Sequence, residues 1–472
     1  MPDLGSRPSL TSADLKAQLH DIQDNVVAPI LMRYGRHIFL KFNDGAKSRA
    51  WLSNMFDRVN ARSQEHGMRF TINVGFTYEG LKTLGLSQRS LDSFPEAFRV
   101  GMRGRACIVG DIGPHAPEHW DGGLGGADIH AMAWLRTDSG QGREEATDIL
   151  REEFEATGGV EIRFVQDTMA LAHESGIGSE GEHFGFADPI SQPPIEGADT
   201  PSYPGDGVLE NDGTWRPLKP GEFLLGYEDE VGPGGTMTPE PFELRLNGTY
   251  MVFRKLYQDV AAFRRYLATA ARSLFGSDDQ EHRDLVAAKL MGRWPSGCPL
   301  DLSPEKDDPA IAADPERRND FTYAGDDQGL RCPLGSHLRR SNPRATPLKR
   351  ATAVRRHRLL RRGVEYGPPL KNGALEDDGV DRGLINLFIQ ADIERQFEFV
   401  QAEWMSGGEF LGLDPAEQDP FNGVGGQGSQ MSVPGAKRPF LFDLPNFVTV
   451  KGDEYLFVPG LKALTGIIDQ KF

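Results

Sequence analysis

The sequence predicts an α+β fold of antiparallel sheets and helices, and three observations predict it. Between residues 37 and 171 the segments read strand–helix–strand, then strand–helix–strand again, the order of a split βαβ or ferredoxin-like unit. A second block with the same coarse rhythm starts at residue 247. Between the two, residues 172–246 are rich in Gly, Pro and Asp, and a long irregular stretch inside a compact protein is usually functional. The chain therefore divides into an N-terminal module with a loop-rich end, 1–246, and a C-terminal module, 247–472.

Each element has its own signal. Residues 1–20 are polar and hold a short helix at best. HIFLKF (37–42) is a short apolar strand, and a basic helical stretch follows it. TINVGFTYEGLKTLGL (71–86) reads as a strand running into a helix, its second half apolar at helical spacing. GRACIVGDIG (104–113) is strand-like and closed by glycines, and DIHAMAWLRT (128–137) alternates like a strand. REEATDILREEFEATG (143–158) is an amphipathic helix, and VEIRFVQDTMAL (160–171) is the next strand. In the second block, NGTYMVFRKLYQD (247–259) reads as a strand and VAAFRRYLATAARSLFG (260–276) as a helix. AAKLMGRWPSG (287–297) is a short helix ending in a turn, ahead of a charged insert at 301–330. RRHRLLRRGVEYG (355–367) is strand-like. LINLFIQADIERQFEFVQAEWM (384–405) starts as a strand and becomes a helix, and NFVTVKGDEYLFVPGLKAL closes the chain as a hairpin.

Composition narrows the function. The formal net charge of -17 repels phosphate backbones, so nucleic acid is not an expected partner. No stretch approaches the roughly 18 apolar residues of a membrane helix. The opening residues hold no apolar run of the kind a secretory signal carries, so a cytoplasmic location is expected. Cys107, Cys298 and Cys332 are too widely spaced for a zinc site or a disulfide framework and read as free thiols. Asn247-Gly248-Thr249 matches a glycosylation sequon by chance.

Three segments carry chemistry, and each has two readings. His337 lies in GSHLRRSNPR with Arg339, Arg340 and Arg344 around it. It is either a histidine on a basic surface loop or an imidazole that ligates a metal while arginines neutralise an anionic ligand; haem, with its axial nitrogen and two propionates, suits the second. Asp188 lies in HFGFADPISQP, flanked by Phe184, Phe186 and Pro189. It is either a turn aspartate or a carboxylate whose lost hydration suits it to proton transfer. Arg361 and Arg362 end LLRRG, as a solvated strand edge or as a guanidinium that stabilises charge on a leaving oxygen.

Taken together and in order, these segments resemble the dye-decolorizing peroxidase family in its longer forms. HDIQDNVVAPILMRYGRHIFLKF, NVGFTYEGLKTLGL, SFPEAFRVGMRGRA, HWDGGLGGADIHAMAWL, FGFADPISQP, PGEFLLGYEDE, NGTYMVFRKLYQDVAAF, RCPLGSHLRRSNPR, RRGVEYGP and IERQFEFVQ carry the resemblance over nearly the whole chain. It implies two ferredoxin-like modules in a dimeric α+β barrel-type architecture, with one haem b per chain between them. It implies a peroxidase that reduces hydrogen peroxide and oxidises dyes, phenolics or other one-electron donors. His337 then becomes the proximal iron ligand, Arg339 a propionate partner, Asp188 the distal aspartate and Arg361 the distal arginine, with Arg362 next in register. Asp419, in QDPFNG, is expected to accept the other ring N–H of His337; its alternative is a turn aspartate before Pro420. Trp404 and Tyr366 match positions at which relatives oxidise bulky donors at the surface, against a packing role for both.

Two departures stand out. The family pattern G-x-x-D-G ends here in Pro189, which lacks an N–H and cannot take φ > 0, so Asp188 is expected to point differently and the turn to be stiffer. Asn386, in GLINLF, stands where relatives often carry an apolar or aromatic residue. The competing functions are a haem-modifying enzyme on a related scaffold, which would not call for the distal aspartate, and a haem-binding or storage protein that has lost catalysis through Pro189. The oligomeric state is left open.

Overall fold

The computed structural model describes residues 9–59, 70–172, 180–348, 353–407, 409–425, 428–435 and 440–472. Eight long strands make one antiparallel sheet. They are β1 (Tyr34–Phe42), β2 (Phe70–Phe76), β3 (Ala131–Thr137), β4 (Val160–Met169), β5 (Thr249–Gln258), β6 (Leu360–Tyr366), β7 (Gly383–Gln390) and β8 (Val448–Val458). Their spatial order is β6-β7-β5-β8-β2-β3-β1-β4. Each half is thus a βαββαβ unit in which the first and third strands are central and paired. The halves join where Phe457 of β8 pairs with Phe76 of β2.

Helices α1 (Gly45–Met55) and α2 (Gly140–Thr157) connect the strands of the first module, and α3 (Val260–Phe275) makes the first crossover of the second. Each starts on a side chain that accepts an otherwise orphaned amide: Asp44 from Lys47, Ser139 from Gly142 and Asp259 from Ala262. Such a cap is worth about 1 kcal/mol. The second crossover is formed by wide, π-type helical turns, Glu394–Glu398 and Val400–Met405. β1, β3 and β5 are covered on both faces and read as nearly unbroken apolar runs, whereas edge strand β4 alternates in exposure over its first half. β4 and β6, the two ends of the sheet, approach each other, and the amide of Leu171 just beyond β4 donates to the Glu365 carboxylate of β6 at 3.4 Å. No ladder pairs them among the described residues, so the expected barrel stays open at this seam.

Three elements differ from the sequence reading. GRACIVGDIG is no strand: a helical stretch, Glu96–Arg105, runs into turns through Gly110, whose φ is 83°. Ala106 and Val109 are buried while Ile108 between them is 44% exposed, which is turn spacing rather than strand alternation. The C-terminal hairpin is instead the single strand β8, with a register shift between Val450 and Gly452, followed by a helix, Leu461–Ile468. Gly452 packs where a Cβ would lie 2.2 Å from Leu124 Cδ1, so its glycine serves a close approach and not a reversal. The helix read at 287–297 starts earlier, at Gln280, where Asp279 caps it, and ends at Met291 before Gly292. Among the described residues no helix is long and apolar enough to cross a membrane. Asn247 of the sequon is buried and bonded to Asp21 and Tyr227.

Candidate active site

The second module's sheet, the 182–193 segment and the short helix α4 (His337–Ser341) enclose a cavity of roughly 330 Å³. His337, Phe421, Asp188, Arg361, Asn386 and Phe388 line it. His337 opens α4. Its Nδ1 lies 3.0 Å from Asp419 Oδ2 and 3.1 Å from Oδ1, and its ring meets Phe421 edge-on at 5.7 Å. The Asp419 carboxylate is fully enclosed and also accepts the amides of Phe421 (2.9 Å) and Asn422 (2.7 Å). One carboxylate therefore both shapes the turn after Pro420 and fixes the His337 tautomer with the proton on Nδ1. Burial opposes charge on both groups. Their mutual attraction outweighs it, holding the imidazole above its usual value and the carboxyl below its own. The His337 side chain is a quarter exposed, into the cavity, and Nε2 has no hydrogen-bond partner among the described residues.

The basic residues around His337 are mostly internal staples. Arg340 is fully buried and donates to the carbonyls of Trp404 (2.6 Å), Glu417 (2.6 Å) and Gly335 (3.2 Å), tying α4 to the π-type turns and to the Asp419 loop. Arg339 does not line the cavity. Its guanidinium pairs with Asp326 at 2.9 Å, donates to the Cys332 carbonyl and lies 4.5 Å over the Tyr323 ring. This corrects the sequence assignment of Arg339 to a propionate, because a fully enclosed cation already spent on a carboxylate has nothing to offer an anion in the cavity.

In the same cavity, the Arg361 guanidinium makes a close ion pair with Asp188 and donates to Asn386 Oδ1 at 3.3 Å. Its amide donates to Gln192 Oε1 at 2.8 Å, so the segment that carries Asp188 is sewn to β6. The Asp188–Pro189 peptide is cis, and Asp188 meets Arg361 with proline in place of the family glycine. Strand alternation settles the register between the two arginines. Arg362 points through the other face of β6 and donates to the carbonyls of Asn25 and Val26, each at 3.1 Å.

Neither proposed surface donor site is at the surface. Trp404 is 5% exposed and packs against the rings of His357 (5.2 Å) and Phe399 (5.4 Å). Tyr366 is 2% exposed; its hydroxyl donates to Asp381 at 3.1 Å and the Lys255 ammonium sits 4.6 Å over its ring. In both, the packing alternative prevails.

Three lining arginines received no individual role from the sequence. Arg293, Arg344 and Arg358 face the cavity and donate to backbone carbonyls or to Asn319, with no salt bridge among the described residues. Burial pushes Arg293 and Arg358 down to about 10 and lowers Arg344 as well, yet all three remain cations near neutrality. The Arg344 Nε is buried without a partner among the described residues. Guanidinium charge without carboxylate partners among the described residues, lining the same cavity as an open imidazole nitrogen, fits an anionic metal-bearing ligand such as haem.

A carboxylate-paired histidine and an aspartate–arginine pair lining one cavity, on two ferredoxin-like modules, suit the haem-peroxidase class of protein. No family model matches the chain. A dye-decolorizing peroxidase of Exidia glandulosa is 30% identical over 468 residues, 94% of this chain and 86% of that protein. An ancestral D-type dye-decolorizing peroxidase superposes with a TM-score of 0.82 at 29% identity, covering 95% of this chain and 99% of the other. A dye-decolorizing peroxidase in complex with 2,6-dimethoxyphenol gives 0.81 at 27%, with the same coverage. The chain belongs to the dye-decolorizing peroxidase family and is a peroxidase.

Proposed function

We propose that the cavity takes one haem b, with residues 1–246 and 247–472 as the two modules that support it, and that the protein reduces hydrogen peroxide at the expense of phenolic or dye donors. The observation that carries this reading is that the Asp419-bound His337 lines one cavity with the Asp188–Arg361 pair. His337 would hold the iron through Nε2, and Asp419 accepts from Nδ1 and raises the basicity of the ring. Arg344 and Arg358, two of the three lining cations without carboxylate partners among the described residues, would receive the propionates. Bound there, haem supplies the iron that takes peroxide and the electrons that reduce it.

The chain's own residues do the rest. Asp188 accepts the proton from the inner peroxide oxygen and delivers it to the outer one. Arg361 stabilises the negative charge that gathers on the outer oxygen as the O–O bond breaks, so that it leaves as water. In the structure these two groups neutralise each other, and peroxide entering between them exchanges that pairing for contacts with its own oxygens. Asn386 holds the guanidinium from its other edge while this happens. A phenolic donor suits the reading because a solved relative carries 2,6-dimethoxyphenol. A storage role would leave the Asp188–Arg361 pair without a task.

The test is His337→Ala. The expected result is a large loss of haem-to-protein absorbance ratio, with altered ligand-field bands in whatever haem remains. Spectra identical to the parent overturn the assignment. Parent spectra that do not respond to peroxide would favour storage over catalysis.

A further inference from the structure

One carboxylate in the cavity wall has no part in the reading above. Glu182 lies at the start of the segment that carries Asp188, and it lines the cavity. Its two oxygens collect three donors. Oε2 accepts the Phe184 amide at 2.9 Å and the Gln258 side-chain amide at 2.7 Å, and Oε1 accepts the Phe186 amide at 2.9 Å. Its backbone closes the same turn: its N–H donates to the Phe186 carbonyl at 3.0 Å, and its carbonyl accepts from Gly185 at 3.0 Å. Gly185 supplies the positive φ, 100°, that the turn requires. Gln258 ends β5, so the contact anchors the turn to the sheet.

This arrangement costs something. Burial pushes the Glu182 carboxyl up to about 7, and the nearby Asp188 adds to that. No cation pairs with Glu182 among the described residues, although the Arg361 guanidinium feels its charge. A turn that needed only stapling would be served by a neutral side chain. Three donors converging on two oxygens instead demand a group that accepts at both, and among side chains only a carboxylate does so. Phe186 is two residues before Asp188, so the oxygens of Glu182 set where the turn delivers it. Phe184, held by the other oxygen, packs on Phe263 at 4.5 Å and on Phe421 at 5.6 Å, and Phe421 in turn meets the His337 ring.

We propose that Glu182 is the positioning residue for Asp188: its carboxylate clamps the Phe184 and Phe186 amides to the end of β5 and so fixes the turn from which Asp188 reaches Arg361. The proposal rests on the role given to Asp188 above. It accounts for how the 182–188 turn keeps its aspartate on the arginine with Pro189 in the following position.

The experiment compares Glu182→Gln and Glu182→Asp with the parent holoenzyme, and runs Asp188→Asn beside them. Glutamine places an N–H against at least one of the three donors. Aspartate keeps both acceptor oxygens but draws them back. Amide hydrogen exchange of the peptide covering residues 183–188 is read by mass spectrometry, together with kcat/KM for hydrogen peroxide and for a small phenol. For Glu182→Gln the expected result is exchange at Phe184 and Phe186 faster by about tenfold or more, and kcat/KM for peroxide lower by about ten- to a hundredfold. Haem content and kcat/KM for the phenol stay at the parent values, and Glu182→Asp recovers part of both losses. Parent-like exchange in Glu182→Gln overturns the clamp. Faster exchange with parent-like peroxide kinetics overturns its role in positioning. Should Glu182→Gln fail to fold, Glu182→Asp carries the test, and parent-like exchange and kinetics in it overturn the proposal. Asp188→Asn at the parent rate would instead sink the role of Asp188 itself, a distinguishable failure.

Discussion

Gly363 shows how a residue without a side chain shapes the distal site. It faces Asn386 across the β6–β7 ladder, and a Cβ built on it would lie 2.4 Å from Arg361 Nη1 and 3.1 Å from Asn386 Oδ1. The guanidinium lies in the space that the missing methyl leaves. Gly363→Ala would meet the far end of a flexible side chain, so the stability cost should stay within about 1 kcal/mol. The guanidinium must move, and the rate of the peroxide step should fall about tenfold while haem absorbance holds. Stopped-flow mixing with peroxide reads the first effect and a spectrum the second; an unchanged rate would show that Arg361 acts from more than one position. His337, Asp188 and Arg361 each kept two readings on their neighbours alone; the family resemblance singled them out, and the fold brings all three to one cavity. Arg339 was expected at a propionate from its place in the family motif, but a motif position does not say which guanidinium faces the cavity. That depends on where Asp326 lies, thirteen residues away in sequence and in direct contact in space. Arg344 and Arg358 come from different segments, and only the fold brings both to the cavity.

At the scale of elements, α4 has only five residues and no side-chain cap, so it does not hold His337 in place by itself. Arg340 does that work through carbonyls on two other segments. Replacing it by Met would leave those carbonyls buried and unpaired, at a cost of about 3 kcal/mol. We expect Arg340→Met to lower Tm by on the order of 5 °C and to reduce haem retention. Arg340→Lys should recover little, because an ammonium donates from a single nitrogen and cannot span carbonyls that the fork reaches from Nε, Nη1 and Nη2. Calorimetry and the haem-to-protein absorbance ratio check both, and an Arg340→Lys variant at parent stability would refute the staple. The strand–helix order of both modules was readable because hydrophobic periodicity is local. The misread elements, 104–113 and the C-terminal segment, are those where glycine next to apolar residues marks a turn in one case and a bulge in the other. Periodicity does not separate the two; packing does, as Gly452 against Leu124 shows.

At the scale of the whole molecule, continuity of the sheet across β8 and β2 makes the modules share a core, and that core contains neutral histidines. His37 of β1 is wholly buried, edge-on to Phe253 of the other module at 5.7 Å. Burial, reinforced by the Arg136 charge, pushes its pKa down to about 3. His183, at the rim of the cavity segment, is pushed down to about 4 by burial, against the pull of the Tyr366 carbonyl. Both are neutral when folded at pH 5, whereas an unfolded histidine protonates below about 6.5. The sign follows: the unfolded chain binds more protons, so stability is full above about 6.5 and falls as pH drops toward the folded values. Each histidine contributes a slope of ~1.4 kcal/mol per pH unit over that window. Carboxyls that burial raises, Glu222 among them, work the other way and offset part of this slope. The net slope between pH 6 and pH 5 therefore does not identify its sources, but a substitution does. In His37→Phe the group that must stay neutral is gone, and the apolar contact with Phe253 remains. Denaturant unfolding of parent and variant at pH 6.5 and pH 5 should show the variant gaining on the parent by ~1.4 kcal/mol per unit once below 6.5. A difference that stays constant across that interval would mean that His37 accepts its proton in the folded sheet.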